Sequence, residues 1–240
     1  MRSVGPRGRG TGRRALRRSL AVRSAAAQKG AKPRRTPPRK PPPNRAAKSE
    51  ARRQAIVEAA LAEFCARGFA ATRIEDVAAR AGVAKGTIYL HFDDKAALFR
   101  EIVSTMLVPL VAVLEAPPPD IPLREALAGF FDLFVQEIYS TERRNVLRLV
   151  MTEGPRFPEL AEFYYRSVVA RAIAAMRALL RRAHERRELA DDTLIRFPQL
   201  IVAPALMAIM WSGLFDRFAP LDVRAMLEAH LALLLDGSRR

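Results

Sequence analysis

From Glu50 onward, apolar residues recur at the spacing of one helix face. Val57, Leu61 and Phe64 follow one another at helical intervals, with Ile56 and Ala60 beside them. The run stops at Gly68, a residue that accepts the left-handed backbone common at helix ends. A second, shorter helix is predicted from Thr72, whose hydroxyl has capping-box spacing to Glu75. Ile74, Val77, Ala78 and Ala81 form its apolar face, Gly82 supplies a tight turn, and Val83 plugs the angle with the next helix. That next helix buries Ile88 and Phe92, one turn apart. Asp93, Asp94 and Lys95 open a fourth helix running to about Leu114, and Ala116-Pro117-Pro118-Pro119-Asp120 then breaks the pattern. Beyond the break the spacing predicts helices near 122–139, 142–153, 158–188, 191–215 and 221–236. Gly154-Pro155 and Ala219-Pro220 act as separators, while Pro198 and Pro204 kink or interrupt 191–215. No useful length of strand-period alternation occurs, so the fold class is all-α.

The stretch from Thr72 to His91 has the layout of a helix-turn-helix. Its second helix keeps Ile88 and Phe92 inward and turns Lys85, Gly86, Thr87, Tyr89, Leu90 and His91 outward. A short helix with a buried stripe and a face of small and polar residues suits a DNA major groove, where each base pair shows a distinct donor and acceptor pattern. The residues Arg53, Ile56, Ala59, Ala60, Phe64, Gly68, Thr72, Val77, Ala78, Ala81, Gly82, Val83, Lys85, Gly86, Thr87, Ile88, Tyr89, His91, Phe92, Lys95 and Leu98 are at fixed spacing. On them, the run from about Ser49 to Pro109 resembles the N-terminal domain of TetR/AcrR regulators. Two positions depart from that pattern. Ala84 stands where a capping Ser or Thr is usual, and Leu90 replaces a residue that is often aromatic or His. The segment Arg156 to Tyr165 is similar to the effector domains of one subset of the family.

The resemblance implies an N-terminal three-helix helix-turn-helix domain over 49–109 (motif 72–91), joined to a C-terminal helical domain over 121–237 for ligand binding and dimerisation. It places Lys85, Gly86 and Thr87 at bases or nearby backbone, Tyr89, His91 and Lys95 at phosphates, and Thr72 and Arg73 on the other side of the groove. The implied function is that of a ligand-responsive repressor bound to a palindromic operator in double-stranded DNA as a homodimer. Leu194, Leu200, Ile201, Leu206, Met210, Leu214, Leu227, Leu231 and Leu234 offer apolar surface for a dimer contact or for the monomer core. Among the aromatic and methionine residues of the middle helices, which include Tyr164, the candidates for a small apolar effector are Phe130, Phe134, Met151, Phe163, Met176, Met207 and Trp211.

Charge changes the picture less than its total suggests. The formal net charge is +16, but residues 1–49 hold 16 Lys and Arg and no acid, leaving 25 basic against 25 acidic residues in 50–240. A high isoelectric point is therefore no argument that the folded part binds nucleic acid. Rich in Arg, Pro, Gly, Ser and Ala, residues 1–48 read as a disordered basic arm. Pro6-Arg7-Gly8-Arg9-Gly10 partly matches the core of a minor-groove hook, and the acid-free composition also suits a transit peptide. A nucleoid-type DNA-binding protein driven by this arm is the alternative function.

Lone Cys65 sits in an apolar helical pattern and reads as a small core residue of a protein from a reducing compartment. The longest apolar run, Leu200 to Trp211, is interrupted by Pro204 and too short for a bilayer, so a cytoplasmic protein without a membrane partner is expected. Enzyme chemistry is not expected. His91, His184 and His230 lack metal-ligand spacing, and Gly82 to Thr87 meets a phosphate-loop pattern only in part. Neither cofactor nor metal is expected.

Overall fold

The structure is a computed structural model describing residues 45–116 and 120–236; of the basic arm expected over 1–48, residues 1–44 lie outside the described residues and 45–48 are helical. Among the described residues there is no strand, in agreement with the all-α reading. Helix α1 spans Arg45–Ala71, beginning before the expected Glu50 and kinking at Gly68, where φ is 78° and ψ 160°. Helices α2 (Ile74–Ala81), α3 (Lys85–Tyr89) and α4 (Lys95–Met106) follow. They close a core of Ile56, Ala60, Phe64, Val77, Ile88, Leu98, Phe99 and Ile102, all at most 2% exposed.

The helix expected to run to Leu114 is in two pieces. α4 ends at Met106, and α5 spans Val108–Leu114. Pro109 has no N–H to continue the ladder, and Leu110 N–H turns back to the Leu107 carbonyl instead (3.0 Å). By length and composition alone Lys95–Leu114 would match a bilayer span. Here Leu98, Phe99, Ile102, Val103, Leu107 and Val111 are buried in the protein core.

The second half follows the predicted segments. α6 (Leu123–Leu133) continues as a π-turn over Phe134–Tyr139, and α7 is Arg143–Glu153. α8 (Pro158–Tyr164) passes through a second π-turn, Tyr165–Val169, into α9 (Ala170–Glu185). The last three helices are α10 (Thr193–Arg196), α11 (Gln199–Leu214) and α12 (Val223–Asp236). Pro198 interrupts as expected; Pro204 lies inside α11 without ending it.

A histidine from the neighbouring helix compensates for that proline. Lacking an N–H, Pro204 cannot bond the carbonyl of Leu200, one turn earlier. His230 Nε2 of α12 lies 2.9 Å from that oxygen. A carbonyl only accepts, so Nε2 carries the proton. Cys65, expected in the core, is exposed; partial desolvation, then the Glu142 carboxylate, raise its thiol pKa.

His230→Ala is expected to lower the unfolding free energy by about 1 kcal/mol, the net worth of one hydrogen bond. In a Pro204→Ala background, where residue 204 regains an N–H for the Leu200 carbonyl, the same replacement should cost clearly less. Urea denaturation of the single and double variants measures the difference.

Candidate nucleic-acid interface and apolar cavity

The turn between α2 and α3 is built from backbone bonds. Gly82 adopts the left-handed region (φ 67°, ψ 32°), and its N–H points to the Ala78 and Ala79 carbonyls. Val83 N–H also reaches the Ala78 carbonyl at 3.0 Å. Ala84 begins α3 without a side-chain cap. Inward-facing Val77, Ala78, Ile88 and Phe92 are buried, which fixes the opposite face of α3 outward. On that face Lys85, Gly86, Tyr89 and Leu90 are exposed, Leu90 by 82%, while Thr87 and His91 are half-buried. Arg73, just before α2, is also exposed.

Salt bridges hold this surface on α1. Buried Glu63 meets Arg80 at 2.7 Å and Arg67 at 3.1 Å, and Arg67 also meets Asp76 at 3.0 Å. Arg53 pairs with Glu101 at 2.5 Å while its guanidinium covers the Phe92 ring at 5.1 Å. At the surface Lys85 Nζ sits 2.6 Å from Glu75 Oε1. The hydrogen bond lowers the Glu75 pKa and raises that of Lys85.

Two residues expected at DNA have other partners. Thr72 is 2% exposed and caps nothing in α2. Its hydroxyl donates to the Gly68 carbonyl at 2.8 Å and to the Glu63 carbonyl at 3.1 Å. The N-cap of α2 is Arg73, with no side-chain bond, so the capping box is absent. Carbonyls at the end of α1 compete for that hydroxyl and win. Lys95 is likewise engaged: Nζ donates to the Ala70 carbonyl (2.9 Å) and the Thr72 carbonyl (3.0 Å) and lies 4.8 Å from the centre of the Phe69 ring. Desolvation lowers its pKa, opposed by the Glu153 carboxylate. Both side chains close the α1–α2 turn. The outward surface is left to Arg73, Lys85, Gly86, Thr87, Tyr89 and His91.

In the second half, α5, α6, α7, α8, α9 and α11 surround a cavity of about 380 Å³, within the usual range for small-molecule sites. Of the seven expected effector residues, Phe130, Phe134, Met151 and Met176 line it. Phe163 does not line it and instead packs against the core. Met207 is 53% exposed on the outer side of α11. Trp211 donates its Nε1 to the Ala219 carbonyl at 2.7 Å and packs on Phe215, bracing the link to α12. The lining also takes Leu107, Leu110, Val111 and Leu114 from the α4–α5 segment, which the sequence had given largely to the DNA-reading half. Their aliphatic side chains carry no signal that separates a cavity wall from a core.

Both π-turns border the cavity, through Phe134 and Ile138 of the first and Val168 and Val169 of the second. Such turns recur at functional sites because the extra residue widens the helix locally. Tyr164, immediately before the second, also lines the cavity, and burial pushes its phenol up to about 12.

Comparison with known families decides what this pair of sites belongs to. Residues 56–102 match the model described as bacterial regulatory proteins, tetR family. Residues 117–230 match a tetracyclin repressor-like C-terminal domain. Together the two matches cover about two thirds of the chain. The chain belongs to the TetR family.

Among curated relatives, the transcriptional repressor SCO4008 of Streptomyces coelicolor is 32% identical over 48% of this chain and 60% of its own length. The TetR-family chain thus spans less than two thirds of that relative. The regulator AcrR of Shigella flexneri is 29% identical over 76% of this chain and 87% of its own. Among solved structures, the SmeT–triclosan complex superposes with a TM-score of 0.64 at 25% identity, covering 76% of this chain and 90% of that one. NalD, described as the secondary repressor of the MexAB-OprM multidrug efflux pump in Pseudomonas aeruginosa, gives 0.64 at 24%, over 78% and 98%.

The last helices of this TetR-family chain divide the residues that the sequence could not apportion. Leu194, Ile201, Leu227 and Leu231 are buried in the chain's own core. Leu200, Met207, Met210 and Leu214 are exposed by 44–59% along one side of α11. With Ala203 between the first two they have coiled-coil spacing. Leu233 of α12 is 76% exposed.

The Tyr164 phenol yields a pH prediction. A pKa raised from 10 to about 12 means that the folded state holds this proton more tightly than the unfolded chain. That contribution is complete below pH 10 and is lost as pH rises toward 12. An ultraviolet titration should show one of the four tyrosines ionising late, and Tyr164→Phe should remove that late step.

Proposed function

We propose that the protein is a ligand-responsive transcriptional repressor that binds a palindromic operator as a homodimer. In this reading residues 49–109 form the DNA-reading domain and 121–237 the effector-binding and dimerisation domain. The observation that carries it is the outward face of α3, held on buried Ile88 and Phe92, with Lys85, Gly86 and Tyr89 presented to solvent. The repressor names of SCO4008 and NalD support the sign of control. The exposed strip from Leu200 to Leu214 on α11 supports pairing. Contiguous exposed apolar surface of this kind marks an interaction site, and a two-fold dimer would set two readers about one DNA turn apart. A cytoplasmic location goes with this role.

At the DNA, the roles divide by chemistry. Tyr89 and His91 meet phosphates, which fix register and carry salt dependence. Lys85, Gly86 and Thr87 meet bases or the backbone beside them. Lys85 exchanges Glu75 for DNA when it binds, so its contribution is the difference between two hydrogen-bonded states.

A footprint of the purified protein on its own upstream DNA, with and without apolar ligands, tests the whole reading. Protection of no discrete site would count against it. In gel shifts over operator variants, Tyr89→Phe should weaken binding evenly, while Lys85→Ala should also flatten discrimination among sequences, by about 1–3 kcal/mol at the base it reads. Equal losses on every variant for both proteins would refute the division of roles.

Removing residues 1–44, which leaves α1 intact, separates this reading from the arm-driven nucleoid alternative. Site preference should survive with a shallower dependence on salt. Loss of preference together with the arm would favour the alternative.

A further inference from the structure

The composition of the cavity wall goes further than an apolar effector in general. Among the lining residues, Tyr164 and Gln199 alone have polar side chains; none is Asp, Glu, Lys, Arg or His. The two differ in place. Gln199 is exposed at the start of α11, whereas Tyr164 is largely buried at the edge of the second π-turn. Its hydroxyl makes no hydrogen bond within the described residues and stays protonated at neutral pH. Charged residues flank the wall in sequence without lining it: Glu115 and Arg171 neutralise each other in a two-pronged pair at 2.8 and 2.7 Å, Glu137 pairs with Arg143 at 3.0 Å, Arg148 bonds the Ile209 carbonyl and Ser212 Oγ, and Arg177 follows Met176. A charge buried without a partner is strongly disfavoured, while a neutral hydrogen-bonding group opposite a lone hydroxyl is favoured.

We infer that the cavity selects a neutral, predominantly hydrocarbon ligand carrying one hydrogen-bonding group, anchored by the Tyr164 hydroxyl, and refuses organic cations and anions of the same shape. This rests on the effector-site reading and specifies its ligand class. An organic cation is best held by a carboxylate beside ring faces; this wall has the rings of Phe130, Phe134 and Tyr164, set among Leu, Val, Ile, Met and Ala, but no carboxylate.

Four para-substituted biphenyls of one shape test it: methylbiphenyl, biphenylmethanol, biphenylmethylammonium and biphenylcarboxylate. Each is titrated against the full chain at neutral pH by displacement of fluorescent phenylnaphthylamine. The alcohol should bind tightest, and the hydrocarbon about three- to tenfold more weakly, the worth of one hydrogen bond. Both ions should bind at least ~100-fold more weakly than the alcohol. Tyr164→Phe, with its thermal midpoint recorded to confirm folding, should cancel the advantage of the alcohol and leave the hydrocarbon within about twofold. Ammonium binding within threefold of the hydrocarbon, or equal losses for alcohol and hydrocarbon in Tyr164→Phe, overturns the inference and leaves the effector site standing. Failure of phenylnaphthylamine and all four biphenyls to bind overturns the effector site itself.

Discussion

The placing of the reader against the cavity depends on one ring. Phe69 is 4% exposed, with Phe64 of α1 at 5.1 Å, Phe99 of α4 at 6.3 Å and Phe157, just before α8, at 4.8 Å between centres. It therefore belongs to the cores of both halves. Gly68 makes this possible. Its φ of 78° is strained for residues with a Cβ, and a Cβ there would lie 2.6 Å from Glu153 Oε1 at the end of α7. Once the chain has turned, side chains bond the carbonyls around the kink: the Thr72 hydroxyl those of Glu63 and Gly68, the latter also accepting from Thr72 N–H, and Lys95 Nζ those of Ala70 and Thr72. Glycine, threonine and lysine thus build a single structure around Phe69, so α2 and α3 keep a fixed bearing relative to α7 and α8.

The same economy of backbone partners shapes the cavity. At the α4–α5 break the Met106 carbonyl leaves the ladder and accepts from Arg143 Nε at 2.8 Å. The other arm of that guanidinium holds the Glu137 carbonyl at 3.1 Å and the Glu137 carboxylate at 3.0 Å, inside the first π-turn. One residue therefore ties the last helix of the reader to a cavity wall. The irregular backbone at both sites is thus held by one guanidinium, through Nε at the α4–α5 break and Nη1 at the π-turn.

Much of this was legible in the sequence. Helix positions followed apolar spacing, and the separators were residues with a local reason to break a helix, such as Gly82, Gly154 and Pro198. The outward face of α3 followed from the inward pair Ile88 and Phe92. What escaped was decided by tertiary competition. Thr72 has the right spacing to cap α2, but two carbonyls of α1 are better placed. The bonds of Lys95 to the Ala70 and Thr72 carbonyls close a kink that exists only in three dimensions. Pro109 was read through because the apolar pattern continues past it, although the backbone there cannot. Cys65 fits an apolar pattern and still lies outside the core, since three-residue spacing fixes a face only to within a residue or so.

α11 shows why the expected effector residues only partly line the cavity. A helix apolar all round gives no periodic clue to what each side meets. This one meets three environments: Ile201, Ala205, Ala208 and Ile209 face the core, Val202 and Leu206 reach the cavity, and Leu200, Met207, Met210 and Leu214 face solvent. Met207 therefore has a side chain suited to an apolar cavity but lies on the solvent-facing side. Cavity and exposed strip lie on adjacent sides of one helix. Val202 and Leu206 share α11 with the exposed strip, and the helix is held from behind. Arg148 of α7 holds it, through the Ile209 carbonyl at 3.3 Å and Ser212 Oγ at 2.7 Å, against Gly213, where a Cβ would lie 3.0 Å from its Nε. Movement of α11 is thus referred back to α7, the helix whose far end meets Gly68, and the cavity, the exposed strip and the reader share that helix as their common support.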